Sequence, residues 1–516
     1  MTTSSSRTWG TLAIGCLAAL VPAIDMTALN LAIPHLTADL HPSASQILWI
    51  ADMYGFALAG LLVTMGSIGD RIGHKRMLLI GAGAFAAASA LTAYATSAAV
   101  LIGARALLGI AGATIMPSAL SLIRKVFTDP KQRTTAIGIF SGIGALGVGL
   151  GPIVGGVLLD HFWWGSVFLI NVPIMALLAI VGLVVLPESR NSNPHRIDLV
   201  SVPLSIVGVL GIVYEIKEAA LGAGGEPRNL AAAVVGLASL VLFVRRQTRL
   251  AEPLIDVRLF RRAAFSGSIG TNLFAMFALV AQSLIFSEYF QLVLGWSPLK
   301  SGLAGLPAAG AAMIGGTIAA PLITALGRSR VIGLGLGLAA VGFGLYYFSG
   351  TAGNYPVMLA AMLPGALGVG MALTVTSDTI LASVPKERSG AASAISETGT
   401  ELGGALGLAI LGSILNATYR SRIDLPAGLP HDASGKVRDS LGSALESTAT
   451  LPARLAGQVA DTARHAFVDG MHVALLCSAG FAAVVAVSAL YTLRNVPKVI
   501  ATEESEPEPE LVTSSS

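Results

Sequence analysis

The sequence predicts an all-α membrane protein of fourteen spanning helices, built as two six-helix bundles with two further helices inserted between them. Three observations predict it: the composition, the spacing of apolar runs and an internal repeat. Of the 516 residues, 54% are hydrophobic and only 12% charged, about half the charged share of a soluble domain. The mean hydropathy is +0.74. Apolar runs of spanning length fall at about 11–33, 47–67, 77–96, 99–122, 134–158, 164–187, 199–215, 230–244, 266–288, 302–324, 331–349, 357–381, 390–416 and 470–492. The run at 230–244 is the shortest, yet the charge distribution requires it.

The first run contains Asp25 and no basic side chain. At ~1.5 Å per helical residue Asp25 lies about 15 Å below Pro34, inside an apolar core roughly 30 Å thick. A carboxylate there needs a buried partner or an aqueous cavity, and such residues usually mark transport paths. The run is too long for a signal-peptide core and reads as a retained helix. In the second run Asp52 is flanked by Trp49 and Tyr54, which suits either an interfacial aromatic belt or a lipophilic cation. After it, Gly66-Ser-Ile-Gly-Asp70-Arg71-Ile-Gly73-His-Lys75-Arg76 sets an acid among bases at a membrane surface. Asp70 is expected to join Arg71, Lys75 and Arg76 in a network that also meets a neighbouring helix N-terminus, where an anion is favoured.

Arg105 begins about five residues into the fourth run, ~8 Å deep, so it either snorkels to the interface or contacts backbone or a carboxylate near the first helix. In the fifth run Gly147, Gly151 and Gly155 recur on one face, with Pro152 and Gly156 beside them. Small residues at this spacing admit a close backbone, and proline permits a bend; a rocking seam between halves is expected there. In the thirteenth run Glu397 and Glu401 share a face at depths of ~12 and ~18 Å from Ser389. Two like charges on one dry face cannot both ionise cheaply, so at least one is expected to hold and exchange a proton.

With the N-terminus in the cytoplasm, 22 of the 32 Lys and Arg residues fall on the inside, and most of the rest lie in the long 417–469 loop, which is exempt from the positive-inside rule. Both termini are then cytoplasmic. The repeat is carried by Pro130-Lys131-Gln132-Arg133 against Pro385-Lys386-Glu387-Arg388, and by Gly73-His74-Lys75-Arg76 against Gly327-Arg328-Ser329-Arg330, at offsets of 255 and 254. The division that follows is an N-terminal half at 1–190, an inserted pair with its cytoplasmic linker at 191–262, a C-terminal half at 263–494 with an extracellular loop at 417–469, and a disordered acidic tail at 495–516. A transport path is expected between the halves.

These residues carry a family resemblance over nearly the whole chain. The 66–76 segment resembles the loop signature of the major facilitator superfamily, the glycine-proline run of the fifth helix resembles the signature of its drug:proton antiporters, and Arg105 in Leu101-Ile-Gly-Ala-Arg105-Ala-Leu-Leu-Gly109 is similar to that group's fourth-helix arginine motif. With Asp25-Met-Thr-Ala-Leu-Asn30 in the first of fourteen spans, the chain resembles the 14-helix drug:proton antiporters that export quaternary ammonium compounds and fluoroquinolones. Two departures stand out: Thr324 occupies the place of Asp70 in the second repeat, and the run 302–324 has no acid. The resemblance implies the major facilitator fold, a bacterial plasma-membrane location, and export of cationic amphiphilic drugs, dyes and quaternary ammonium compounds.

The expected mechanism is alternating access, with a proton and a lipophilic cation competing for Asp25 and the Glu397/Glu401 pair, biased by Arg105. Asp52, Trp49 and Tyr54 would line the substrate path. No Walker loop or soluble nucleotide-binding stretch is present, so the proton gradient, not ATP or a cofactor, is the expected energy source. No enzyme activity, metal site or nucleic-acid partner is expected: the basic residues form no stripe, and Cys16 and Cys477 both sit in apolar runs. A monomer is expected. The alternatives are a natural-product or amino-acid exporter on the same scaffold, or a membrane receptor using the 417–469 loop.

Overall fold

The computed structural model describes residues 2–497 except 43, 188–197, 199, 221–225, 251, 252, 352, 353, 386 and 387, and among the described residues there are helices and no strands. The acidic tail from 498 onward and Lys386-Glu387 of the second repeat lie outside them. Among the described residues thirteen helices are long and apolar enough to span a bilayer, and the expected seventh run falls on a shorter apolar helix, Ser201–Ile216. The shortest apolar helix is therefore this seventh span and not the eighth, which runs over 21 residues, Pro227–Gln247.

The first bundle comprises α1 (Thr2–Leu40), α2 (Ala44–Ile72), α3 (His74–Ala93), α4 (Ala98–Val126), α5 (Pro130–His161) and α6 (Ser166–Val185). The inserted pair is α7 (Ser201–Ala220) and α8 (Pro227–Gln247). The second bundle comprises α9 (Ala263–Val293), α10 (Pro298–Leu326), α11 (Arg328–Phe348), α12 (Tyr355–Ala382), α13 (Ser389–Arg422) and α14 (Ala453–Thr492). The 417–469 segment is not simply a loop. It contains the end of α13, helices at His431–Asp439 and Leu441–Ser447, and the first turns of α14. Val437, Leu441 and Ala444 are buried in the second bundle's core, and the Tyr419 hydroxyl donates to the Val437 carbonyl at 2.7 Å.

Local chemistry explains the helix starts. Asp129 accepts from the Gln132 amide at 2.8 Å with Pro130 in the first turn, and Ser297 does the same for Lys300 at 3.3 Å with Pro298 following. A capping acceptor followed by proline satisfies one orphan amide and presets the first helical dihedral. Gly73 (φ 100) and Gly327 (φ 86) join α2 to α3 and α10 to α11. Both are backbone conformations that L side chains rarely adopt, and they occupy equivalent places in the repeat.

Within the first bundle α1 packs on α5, α2 on α4, and α3 on α4 and α6; within the second, α9 packs on α13, α10 and α11 on α12, and α14 on α11 and α13. The bundles meet along α5–α10 and α2–α13. Lipid supplies no hydrophobic force between helices, so close approach relies on small residues. A Cβ on Gly138 would strike the Gly316 backbone, and one on Gly66 would strike the Gly390 carbonyl. The inserted pair lies outside this seam, α7 against α2 and α13 and α8 against α7. Asp198 holds its base: it accepts from Arg246 Nε and Nη2 at 2.5 and 2.9 Å and from the Ser201 hydroxyl at 2.5 Å. The Arg246 guanidinium, helped by Ser201, keeps the Asp198 carboxyl well below the usual carboxylate range.

Candidate functional site

Asp25 is fully buried and paired inside the first bundle. Arg105 Nη1 donates to its Oδ2 at 2.6 Å and Asn171 Nδ2 to its Oδ1 at 2.9 Å, so α1, α4 and α6 meet at one carboxylate. Asn171 also reaches Ser89 of α3 at 3.3 Å. Arg105 is 1% exposed, which rules out snorkelling; its Nε donates to the Ile50 carbonyl of α2 at 3.3 Å, and its guanidinium lies 5.0 Å from the centroid of the Tyr54 ring. Asp25, expected to share a proton and cation site with Glu397 and Glu401 of the thirteenth helix, is instead hydrogen-bonded within its own bundle. Its partners are Arg105 and Asn171, the long Arg105 side chain reaching from its shallower place on α4 to the carboxylate of α1.

Glu397 and Glu401 are half-buried in the first half of α13. One flank of α13 is tied to α9: Asn272 Nδ2 donates to the Ser396 carbonyl, the Ser396 hydroxyl and the Thr400 hydroxyl at 3.2, 3.2 and 3.1 Å. Gly403 and Gly407 bring the backbones of Leu273 and Phe277 close on that side, which turns the glutamates away from α9. Tyr54 lies near enough to Asp25, Glu401, Arg105 and Glu397 to feel the charge of each. It is 2% exposed and faces α4, where its hydroxyl would be 3.0 Å from a Cβ on Gly112. Tyr54 therefore belongs to the Asp25–Arg105 centre and not beside Asp52. Asp52 is half-buried and Trp49 exposed on another face of α2.

The end of the molecule that carries the basic loops is closed by contacts between bundles. Asp70 accepts from the backbone amides of Gly390 and Ala391 at 2.8 and 3.0 Å. A carboxylate of α2 thus satisfies orphan donors in the first turn of α13, where the helix dipole favours an anion. The network with Arg71, Lys75 and Arg76 does not form. Asp70 pairs with buried His74 at 3.0 Å, Lys75 donates to the Leu183 carbonyl at 2.9 Å, and Arg71 and Arg76 are exposed, since residues 71, 75 and 76 turn away from the face that Asp70 presents to α13.

Two residues absent from the sequence reading complete this closure. Asp378 of α12, 0% exposed, accepts from Arg133 Nε of α5 and from Arg328 Nη2 of α11, both at 2.7 Å, while Arg328 Nη1 donates to Thr379 at 2.7 Å. Arg124 of α4 donates to the Val384 carbonyl and, at 3.3 Å, to that of Pro385. Asp378 supplies the acid that Thr324 lacks. An acid inside the run 357–381 was as visible as Asp25, and Asn171 was likewise a polar residue inside a strongly apolar run.

The glycine face of α5 also serves a different neighbour from the one expected. A Cβ on Gly147 would lie 2.8 Å from the Ala23 Cβ, one on Gly151 would strike Thr27 Oγ1, and one on Gly155 would lie 3.2 Å from the Ala28 Cβ. These glycines seat α1 around Asp25 within the first bundle; the seam between bundles uses Gly138 and Gly142 instead, with Pro152 near Gly302. Nothing stands within 4 Å of a Cβ on Gly156.

The sequence model of the Major Facilitator Superfamily matches residues 15–408. The chain belongs to the major facilitator superfamily. Among relatives in that superfamily, the multidrug efflux pump LfrA of Mycolicibacterium smegmatis is 46% identical over 91% of this chain and 93% of its own length. The methyl viologen resistance protein SmvA of Salmonella typhimurium is 35% identical over 95% and 99%, and the tetracenomycin C resistance and export protein of Streptomyces glaucescens 30% identical over 96% and 94%. The crystal structure of the human organic anion transporter MFSD10 aligns with a TM-score of 0.59 at 13% identity, over 94% of this chain and 99% of that one; it supports the major facilitator fold alone. The chain is accordingly a multi-pass membrane transporter.

Proposed function

We propose that this chain is a proton-coupled multidrug efflux antiporter that exports lipophilic cations by alternating access. The observation that carries the reading is the half-buried Glu397/Glu401 pair, four residues apart on α13 and close enough to Tyr54 of the other bundle to act on it together with Asp25 and Arg105. A carboxylate pair deep in an apolar bundle, still reached by solvent, favours gaining either a proton or a cation, and the two ligands then compete. Asp25 has a supporting role: locked to Arg105 and Asn171, it fixes α1, α4 and α6 and sets the field that Glu397 and Glu401 meet through Tyr54. The relatives named for multidrug efflux and methyl viologen resistance agree with a cationic cargo.

In this cycle the basic end lies in the cytoplasm of a bacterial plasma membrane, with both chain termini there, and the pump works as a monomer without a cofactor. Asp70 on the α13 amides and Asp378 between Arg133 and Arg328 hold the cytoplasmic side shut, so the state described faces outward. Proton entry from outside neutralises the glutamates and releases the drug; inward opening breaks the two latches and lets the proton leave. Export of an endogenous aromatic product on the same scaffold is the second reading, favoured by the relative named for tetracenomycin C export.

The test is ethidium counterflow in proteoliposomes with an imposed pH gradient. Wild type is expected to exchange ethidium for protons. Glu397→Gln is expected to lose gradient-driven exchange by about 100-fold or more while remaining folded in the membrane; full gradient-driven exchange in that variant sinks the mechanism.

A further inference from the structure

On α2, Trp49, Asp52 and Phe56 stand at i, i+3 and i+7 and therefore share one helix face. That face meets the inserted helix α7. The rings of Trp49 and Tyr214 are near-parallel, 15° apart with centroids 6.5 Å apart, and Phe56 lies 5.9 Å from Trp49 and 6.3 Å from Tyr214. Gly60 makes the approach possible, since a Cβ there would sit 3.1 Å from Leu210. Phe56, Ala59, Val209 and Val213 form a sealed apolar floor, whereas Trp49 is 39% exposed and Asp52 half-buried. The result is an aromatic corner, closed below and open at Trp49, with a carboxylate on its wall.

An interfacial belt explains single Trp or Tyr side chains pointing at headgroups. It does not explain why two helices about 160 residues apart in the chain bring three rings together on a helix face that also carries an acid. Ring faces and a carboxylate both attract a cation, and flat rings also stack on a flat ligand. An anion meets Asp52 and is repelled, and a neutral planar molecule gains the ring contacts only.

We propose that Trp49, Asp52, Phe56 and Tyr214 form a recognition site for planar lipophilic cations at the outer mouth, separate from the α13 glutamates, so that the inserted helix α7 is part of the substrate path. The proposal rests on reading the chain as a cation exporter. Substrate would dwell here between the membrane or exterior and the central acids, held by ring faces while its charge is balanced by Asp52. Tyr214 acts through its ring, since the ring and not the hydroxyl faces Trp49 and Phe56.

Direct binding of ethidium to the full-length protein in nanodiscs tests this without requiring transport. Tyr214→Ala is expected to weaken binding about tenfold, the size of a lost ring–cation contact, while Tyr214→Phe stays within about twofold of wild type. Asp52→Asn is expected to weaken ethidium while leaving a neutral planar dye bound as before. Wild-type affinity for ethidium in Tyr214→Ala or in Asp52→Asn overturns the site, and so does an equal loss in Tyr214→Phe and Tyr214→Ala. The two readings fail separately: proton-driven exchange in wild type with unchanged binding in the variants removes this site alone. Weakened binding in the variants with no proton-driven exchange in wild type leaves the site and removes the antiport.

Discussion

Replacing Arg105 by Met removes a charge and keeps most of the side-chain volume, and the structure fixes what that costs. Asp25, 0% exposed, would keep only the Asn171 amide at 2.9 Å after losing the 2.6 Å bond to Arg105. Breaking one partner of a buried ion pair leaves an uncompensated charge and costs about 3–5 kcal/mol. In the double variant Asp25→Asn with Arg105→Met, no charge remains, and the Asn carbonyl oxygen still accepts from Asn171. The residual loss is then the Arg105 bond to the Ile50 carbonyl at 3.3 Å and its contact with the Tyr54 ring, about 1–2 kcal/mol in sum. Reversible unfolding of the purified protein in mixed micelles, followed by helical circular dichroism, measures both variants. The double variant is expected to be more stable than Arg105→Met by about 2 kcal/mol or more. A double variant no more stable than the single one refutes the pairing energetics and leaves Arg105 as mere packing.

Arg133 and Arg328 hold the same carboxylate from different bundles, which separates gating from folding. Arg133→Gln removes a charge-assisted bond across the seam, roughly 1.5–3 kcal/mol, and is expected to raise the inward-open population at least tenfold; spin-label distances across the basic end read the shift, and an unchanged distribution argues against a latch. Gly73→Ala and Gly327→Ala each force an alanine into positive φ, at about 1–2 kcal/mol, whereas Gly337→Ala, with nothing within 4 Å of its Cβ, is expected to be neutral or slightly stabilising because alanine is the better helix former. Thermal stability in detergent checks the contrast, and equal effects at Gly73 and Gly337 would contradict the turn assignment.

The fold was largely legible because a spanning helix is a local property. Fourteen apolar runs, a basic bias and two short repeats are read along the chain, and no distant residue alters them. The ends of the inserted pair and of α14 were less legible. Helix α14 begins at Ala453 and not near 470 because its first turns pack on the short helices beyond α13, a contact no window of sequence reports. In the site, burial of Asp25 and the acid-on-helix-terminus role of Asp70 were readable from the cost of isolated charge. Asp378 carries the same signal, although a charge this close to the end of an apolar run also suits a helix boundary.

The sequence alone determined where the apolar runs fall, which end carries the basic loops and which charges must be satisfied inside a membrane. Only the tertiary structure decided who satisfies them. Asp25 and Arg105 are 80 residues apart and Arg133 and Asp378 are 245 apart, and helical periodicity names the face a side chain occupies without naming the helix opposite. Asp25 thus lies locked within one bundle, while the glutamates of α13 sit half-buried in the other.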